Sequence, residues 1–287
     1  MSVDSSIRDV FRITCRYGCI PFGSFIILAM AHVSEGADSL FDYGEYAAFL
    51  GAHVDDRGMV DYKAVREDRE RLDKFLSTID AVAETEYAKW PEKDRMAFWI
   101  NVYNSLTLKA ILDNYPIKAS GIAKLRFPAS SIRQIKGVWK DLKFRVLRTR
   151  RTLAEIEHEI LRKEFHDPRI HMAIVCASKG CPLLRKEPFE GKRLDAQLDD
   201  QTRRFLKDPG KFRISRDTER VYLSPIFKWF GGDFFPMYGT KEFAGNKEER
   251  AVLNFVGGYV SDTYKAYLRV GKYSVKYLDY DWSLNEQ

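Results

Sequence analysis

The amino-acid sequence predicts an α+β fold: a single domain in which a modest, mostly antiparallel sheet packs against a buried central helix. Helical and strand-like patterns are intermixed along the chain, and several connections are too short for the crossovers of a parallel sheet. No internal repeat and no low-complexity linker divides residues 38–287. The apolar face over residues 92–114 is so wide that this helix must be largely buried.

The N-terminus has the layout of a secretory signal peptide. Arg8, Arg12 and Arg16 precede an apolar stretch over residues 19–33, and small residues follow it. This stretch is shorter than most membrane-spanning helices. We therefore expect residues 1–37 to be a signal peptide, with cleavage between about residues 32 and 38. The mature protein would be exported to the periplasm or the extracellular medium and would not be an integral membrane protein. An uncleaved N-terminal anchor is the alternative.

Charge argues against a nucleic-acid-binding protein. The net charge of +6 is spread over segments of mixed sign, without a block of like charges. Only the segment from Lys118 to Arg151 is locally basic, with Asp141 as its single acidic residue. Two interpretations of this segment stay open: a patch that meets an anionic surface or polymer, or a two-stranded excursion with a solvated basic face.

Apolar periodicity and turn residues place the elements in order. Pro91 suits the first turn of the central helix, and Tyr115-Pro116 ends it. Thr152 and Glu155 have the spacing of a capping box, which opens another helix. In chain order, the pattern predicts helices over residues 41–50, 64–80, 92–114, 152–161, 194–206 and 248–267, and strands over 143–147, 170–176, 221–223 and 274–282.

The chain is organised around residues 167–185. Asp167-Pro168 forms a turn, and the apolar, β-favouring run over residues 170–176 is only long enough for a buried strand. The small residues 177–180 then break that strand. Loops that follow the strands of a rigid sheet often carry functional sites, so we expect one here.

Two cysteines remain once the signal peptide has gone. Cys15 and Cys19 leave with it, whereas Cys176 and Cys181 stay in the mature chain. In an oxidising compartment these two can form a disulfide that closes a small loop. Alternatively, Cys176 points into the core and Cys181 is a free thiol on the loop. The spacing is not that of a structural zinc site, and no glycine-rich phosphate-binding fingerprint is present, so no metal and no cofactor is expected.

Five runs of sequence resemble a known family. They are residues 97–104, 156–162, 167–185, 222–229 and 278–282. On these runs the chain resembles the family catalogued as domain of unknown function 547. The resemblance implies relatives among exported bacterial proteins and plant multidomain proteins, and it implies no particular reaction.

One functional hypothesis is a thiol-dependent hydrolase or acyl transferase. Cys181 would attack a carbonyl, and His171 or His158 would accept the thiol proton. Asn101 or Asn104 would orient that histidine or donate to the developing oxyanion. The predicted fold is compatible with a papain-like or transglutaminase-like architecture. The alternative for the asparagines is structural, because buried amides most often bond backbone groups.

The competing hypothesis is a non-catalytic exported binding module, in which Cys176–Cys181 is a structural disulfide. The aromatic cluster over residues 226–235 is then either core or the wall of a pocket in which Lys228 or Asp233 contacts a ligand. Arg185 is a third candidate contact. It ends residues 167–185, which we call the central stretch. The ligand would be a small molecule or a peptide, and the sequence defines neither its identity nor the oligomeric state.

Overall fold

The computed structural model describes residues 40–119 and 121–287. The predicted signal peptide, residues 1–37, lies outside the described residues, as does its cleavage site. In the described part of the chain helices predominate and strands are few, which confirms the predicted α+β class.

The helices and strands follow one another along the described chain. The α-helices are α1 (Gly44–His53), α2 (Tyr62–Glu67), α3 (Glu70–Ala81), α4 (Glu84–Tyr87), α5 (Glu92–Leu112), α6 (Leu153–Glu155), α7 (Arg162–Glu164), α8 (Leu194–Lys207), α9 (Pro225–Trp229), α10 (Gly231–Tyr238), α11 (Lys247–Gly257) and α12 (Asp262–Val270). A π-helix, π1 (Ile156–Leu161), joins α6 to α7. The strands are β1 (Phe144–Val146), β2 (Thr149–Arg151), β3 (Phe212–Ser215), β4 (Arg220–Leu223) and β5 (Ser274–Tyr277).

Helix α5 is the predicted central helix. It is buried on every side over most of its length, in keeping with its apolar sequence. Trp99, one of its largest buried residues, donates a hydrogen bond from Nε1 to the hydroxyl of Tyr87 at 2.6 Å. The helix ends at Leu112, two residues before the predicted end at Asn114. Burial of this helix organises the larger of the two apolar cores.

Two of the described helices begin at capping boxes. The capping box of Thr152 and Glu155 is present, as predicted, and Asn246 and Glu249 form a second one at the start of α11. The helix predicted over residues 248–267 is divided into α11 and α12, because the chain leaves the helix after Gly257. The predicted helix over residues 64–80 is likewise divided, into α2 and α3.

The described strands form two small sheets. Strands β1 and β2 are an antiparallel hairpin within the basic segment, which agrees with the two-stranded interpretation of that segment. In the second sheet β3 pairs antiparallel with β4, and β4 pairs parallel with β5. A papain-like or transglutaminase-like architecture stays a prediction.

The predicted strand over residues 170–176 is wrong. Pro168–Met172 is a 3-10 helix, capped by the Asp167 side chain, and residues 173–176 pair with no described strand. The amide of Asn104 takes the place of a neighbouring strand. Its Nδ2 donates to the carbonyl of Ala173 at 3.0 Å, and its Oδ1 accepts from the N–H of Val175 at 2.8 Å.

The C-terminal segment, residues 278–287, closes over the loop at residues 177–180. Beyond β5 the predicted strand does not continue, and the chain instead runs alongside this loop. Lys179 donates its N–H to the carbonyl of Ser283 at 2.8 Å, and Gly180 donates to Asp281 at 2.7 Å. Tyr280 packs against both apolar cores, the one around α5 and the one around α9 to α12. The central stretch therefore lies at the junction of the two cores.

No helix in the described ranges is both long enough and apolar enough to span a lipid bilayer.

Candidate functional site

A cleft of about 300 Å³ lies at this junction. Its walls come from α5, the segment before β1, the helix that contains π1, the central stretch, α9 and the C-terminal segment. The residues that line it are Tyr103, Arg133, Trp139, Lys140, Ala154, Glu157, His158, His171, Ile174, Cys176, Cys181, Pro182, Ile226, Trp229, Phe230, Tyr280 and Trp282.

Cys176 and Cys181 lie in the wall of the cleft, joined as a disulfide. Their Cα atoms are 6.3 Å apart. The N–H of Cys176 also points at Sγ of Cys181, at 2.9 Å. Cys181 is buried, whereas Cys176 is partly exposed. Of the two alternatives left open by the sequence, the structure contains the disulfide, and in this state Cys181 is not a free nucleophile.

The hydroxyl of Tyr280 lies against the disulfide. It is 3.1 Å from Sγ of Cys181, 3.3 Å from Sγ of Cys176, and it accepts a hydrogen bond from Ser178 Oγ at 3.1 Å. Burial raises the pKa of Tyr280 well above its usual value, and the Ser178 hydrogen bond offsets only part of that rise. The hydroxyl is therefore protonated at neutral pH and can donate to sulfur or to a ligand.

His171 is oriented by Asp233. Its Nε2 lies 2.8 Å from Oδ2 of Asp233, and its ring stacks on Phe230 with centroids 4.2 Å apart. Arg162 donates to both oxygens of the same carboxylate, at 2.6 and 2.8 Å. Burial alone would raise the pKa of Asp233, but the hydrogen bonds from Arg162 and His171 outweigh it and hold the pKa well below its usual range. The carboxylate is thus a fixed negative charge behind the imidazole.

His158 and its neighbour Glu157 reach the cleft from π1. Glu157 is buried and accepts a hydrogen bond from the hydroxyl of Tyr103 at 3.0 Å. His158 is 44% exposed, and its Nδ1 lies 3.0 Å from Nη1 of Arg162. Short π-helical segments occur often at functional sites, because the extra residue in the turn redirects side chains. Here π1 brings a carboxylate and an imidazole to the same cleft.

The two asparagines of α5 bond backbone groups. Asn101 donates to the carbonyl of Phe189 at 2.7 Å and accepts from its N–H at 2.9 Å. Asn104 makes the equivalent pair of bonds to Ala173 and Val175. These contacts match the structural alternative and fix the path of the central stretch.

The three predicted ligand contacts lie outside the cleft lining. Arg185 pairs with Glu187 and Asp200, each at 2.6 Å. Lys228 is exposed, and its Nζ lies 5.6 Å from the ring centre of Tyr277. Asp233 is the one that acts on the cleft, through its contact with His171.

A family comparison matches the region that contains His158, His171, Cys176 and Cys181. Residues 87–206 match a family model described as "Protein of unknown function, DUF547". Over these residues the chain is similar to the DUF547 family. The resemblance predicted from the sequence is confirmed over these residues. The comparison with curated proteins and the comparison with solved structures returned no match.

The DUF547 segment supplies only part of the cleft. It contributes His158, His171 and both cysteines, but the aromatic wall also uses Trp229, Tyr280 and Trp282 from beyond residue 206. Trp229 belongs to the aromatic cluster that the sequence offered as a possible pocket wall, whereas no role was predicted for Tyr280 and Trp282, although they lie in a run that resembles the family. These residues are brought together by contacts between positions that are far apart in the sequence, and local sequence patterns do not reveal such contacts.

A second residue set was also missed, in the basic segment. Arg133, Trp139 and Lys140 line the cleft, although their local sequence has no recognisable motif. Within the described residues no group of three or more His, Cys, Asp or Glu side chains is arranged to hold a metal ion.

Proposed function

We propose that the protein is an exported binding module whose ligand, a small molecule or a peptide side chain, occupies the cleft. The observation that carries this proposal is the combination of a concave, largely aromatic cleft with a sulfur pair joined as a disulfide in its wall. Ligand sites in proteins are typically concave, lined mostly by apolar and aromatic groups, and furnished with a few polar groups that fix orientation.

The aromatic lining supports binding of an apolar or planar group. Trp229 is 48% exposed and stacks near Trp282, with ring centroids 6.0 Å apart. Tyr280 and Trp282 continue the same wall, 4.5 Å apart. Exposed tryptophan rings beside a cleft favour association, because covering them removes a large apolar area from water.

The disulfide has a structural role in this proposal. It ties the start of the loop at residues 177–180 to its end, and Tyr280 packs on the closed loop. The cleft wall is thereby fixed before a ligand arrives, which reduces the entropy lost on binding.

Export is part of the same proposal. It rests on the arginines and the apolar stretch of the first 37 residues, together with a disulfide that would be stable in an oxidising compartment. N-terminal sequencing of the secreted or periplasmic protein tests it. A mature start between about residues 32 and 38 is expected, whereas a chain that keeps residue 1 and stays in the cytoplasm would contradict it.

A second candidate is a thiol-dependent hydrolase or acyl transferase that is active only in the reduced state. The contact between His171 and Asp233 favours it, since a carboxylate orients an imidazole that lines the same cleft as the two sulfurs, and these are the groups from which a nucleophile, a base and an orienting group are built. The Cys176 N–H aimed at Cys181 would also stabilise a thiolate on Cys181 after reduction.

Ester hydrolysis with and without a reducing agent separates the two candidates. The full chain and its Cys181→Ser variant are assayed with p-nitrophenyl acetate. After the protein-free rate, which includes any reaction of the reducing agent with the ester, is subtracted, a binding module gives equal, background rates in all four conditions. Turnover that appears on reduction, is lost in Cys181→Ser and His171→Asn, and survives in the control variant His53→Asn would instead establish the thiol enzyme. His53 is a suitable control because it lies on α1 and does not line the cleft.

A further inference from the structure

We infer that the cleft selects ligands in which an anionic group is joined to a planar ring, with the anion against Arg133 and Lys140 and the ring against the tryptophan wall. The tryptophan wall is the set Trp139, Trp229 and Trp282. This inference rests on the proposed function, because it specifies which chemistry the same cleft binds.

The guanidinium of Arg133 is surrounded by aromatic rings. Its Cζ lies 4.5 Å from the ring centre of Phe127, 5.1 Å from Trp282 and 5.5 Å from Trp139. These rings orient the planar cation and leave its N–H groups for another partner. Burial lowers the pKa of Arg133, and no carboxylate opposes that effect.

Among the described residues neither Arg133 nor Lys140 forms an ion pair, whereas Arg162 and Arg169 do. Arg133 and Lys140 both line the cleft. Two unpaired cations at a concave site raise the local concentration of anions, and a guanidinium can bind a carboxylate or sulfonate with two parallel hydrogen bonds.

The ring of the ligand would lie on the tryptophan wall. Trp282 is common to both features, since it contacts Arg133 and also lies 6.0 Å from Trp229. An anion held at Arg133 therefore places any attached ring beside Trp282. This shared residue is why the inference concerns a joined anion and ring and not two separate ligands.

The negative groups of the cleft are already engaged. Glu157, the carboxylate in the lining, accepts a hydrogen bond from Tyr103 and lies 4.0 Å from Nδ1 of His158. A cationic ligand would have to compete with the Tyr103 hydroxyl for this carboxylate and would face Arg133 and Lys140 as well. Electrostatics in the cleft therefore favour an anion.

Two fluorescent probes of similar ring structure test the inference. Anilinonaphthalene sulfonate is anionic, and phenylnaphthylamine is its neutral counterpart. Both are titrated into the full chain at low salt, with probe emission and quenching of tryptophan fluorescence as readouts. We expect the anionic probe to bind at least about tenfold more tightly than the neutral one, the size of one charge-assisted hydrogen bond. Added salt should reduce this preference.

Variants locate the charge. Arg133→Gln should weaken binding of the anionic probe about tenfold and change binding of the neutral probe by less than about twofold. Arg133→Lys should keep part of the preference for the anionic probe. Lys140→Gln removes an exposed cation that has no ion-pair partner among the described residues, and it should weaken binding of the anionic probe about threefold. Arg126→Gln is the matched control, because Arg126 is an exposed arginine of the same basic segment outside the cleft lining. This variant should change the binding of neither probe.

The outcomes separate the inference from the proposed function. If both probes bind equally and Arg133→Gln affects them equally, the anion preference is wrong while the binding cleft stands. If neither probe binds, or if Trp229→Ala leaves binding and quenching unchanged, the cleft is not the binding site and the proposed function fails as well.

Discussion

The ring of Tyr280 lies directly against Gly180. A methyl group at residue 180 would come within 2.7 Å of Cε1 of that ring, which is closer than carbon atoms pack. Tyr280 is held in turn by Trp229 and Trp282, with ring centroids 4.9 and 4.5 Å away. Glycine at residue 180 therefore lets the C-terminal segment close over the disulfide loop.

Gly180→Ala should destabilise the protein. The ring of Tyr280 cannot move without disturbing the tryptophans beside it, so we expect a loss of about 1–3 kcal/mol in the free energy of unfolding. Urea denaturation measures it. Gly51→Ala is the control: its methyl group meets nothing within 4 Å in the middle of α1. That change should stabilise the protein by about 0.5–1 kcal/mol. Equal effects of the two substitutions would show that Tyr280 does not occupy this position.

Asn104→Ala should cost about 2–4 kcal/mol, because it leaves a buried N–H at Val175 and a buried carbonyl at Ala173 without partners. Chemical denaturation gives the loss, and hydrogen exchange should show faster exchange at Val175. Asn114→Ala serves for comparison, since Asn114 is an exposed residue whose side chain donates a hydrogen bond to the carbonyl of Ala110. Its loss should stay below about 1 kcal/mol. An unchanged exchange rate at Val175 in Asn104→Ala would refute the proposed positioning of the central stretch.

Asp233→Asn should weaken the fold at neutral pH by about 1–3 kcal/mol, because Arg162 and His171 both lose a charged acceptor. Asp233 is 26% exposed, so solvent screening keeps the value below that of a fully buried pair. Asp113→Asn is the comparison, an exposed carboxylate that pairs with Arg69 and Lys109 and should cost less than about 1 kcal/mol.

The effect of Asp233 should depend on pH in a definite direction. Because its pKa is lower in the folded than in the unfolded state, its contribution is complete above the ordinary carboxyl pKa of about 3.9 and is lost as the pH falls towards the lowered folded value. Unfolding curves between neutral pH and about pH 3 should therefore show wild type and Asp233→Asn converging. A difference that stays constant or grows on acidification would contradict the assignment.

Local signals in the sequence were sufficient for much of the helical fold. The wide apolar face of α5 predicted its burial, and the spacing of Thr152 and Glu155 predicted a capping box, because both depend on neighbours within a few residues. Residues 170–176 gave the wrong prediction. An apolar run of that length favours a strand, but the partner of its backbone is the side chain of Asn104, which no local pattern reveals.

The candidate site was only partly predictable, because some of its contacts also join positions far apart in the sequence. His158, His171 and the two cysteines were selected from the sequence and do line one cleft. Asp233, selected as a ligand contact, does not line this cleft and lies behind His171, so its role as a ligand contact stays a prediction. Arg133 and Trp282 were not selected, because their contact joins positions far apart in the chain.

Peptide mapping of the unreduced protein tests the central claim most directly, namely that the two sulfurs in the cleft wall are joined. Trypsin cleaves after Arg169, Lys179 and Arg185, so Cys176 and Cys181 fall in separate peptides, residues 170–179 and 180–185. The account predicts that mass spectrometry finds these two peptides linked and that reduction releases them. Recovery of both peptides alkylated at cysteine without prior reduction would contradict the disulfide and favour the thiol enzyme.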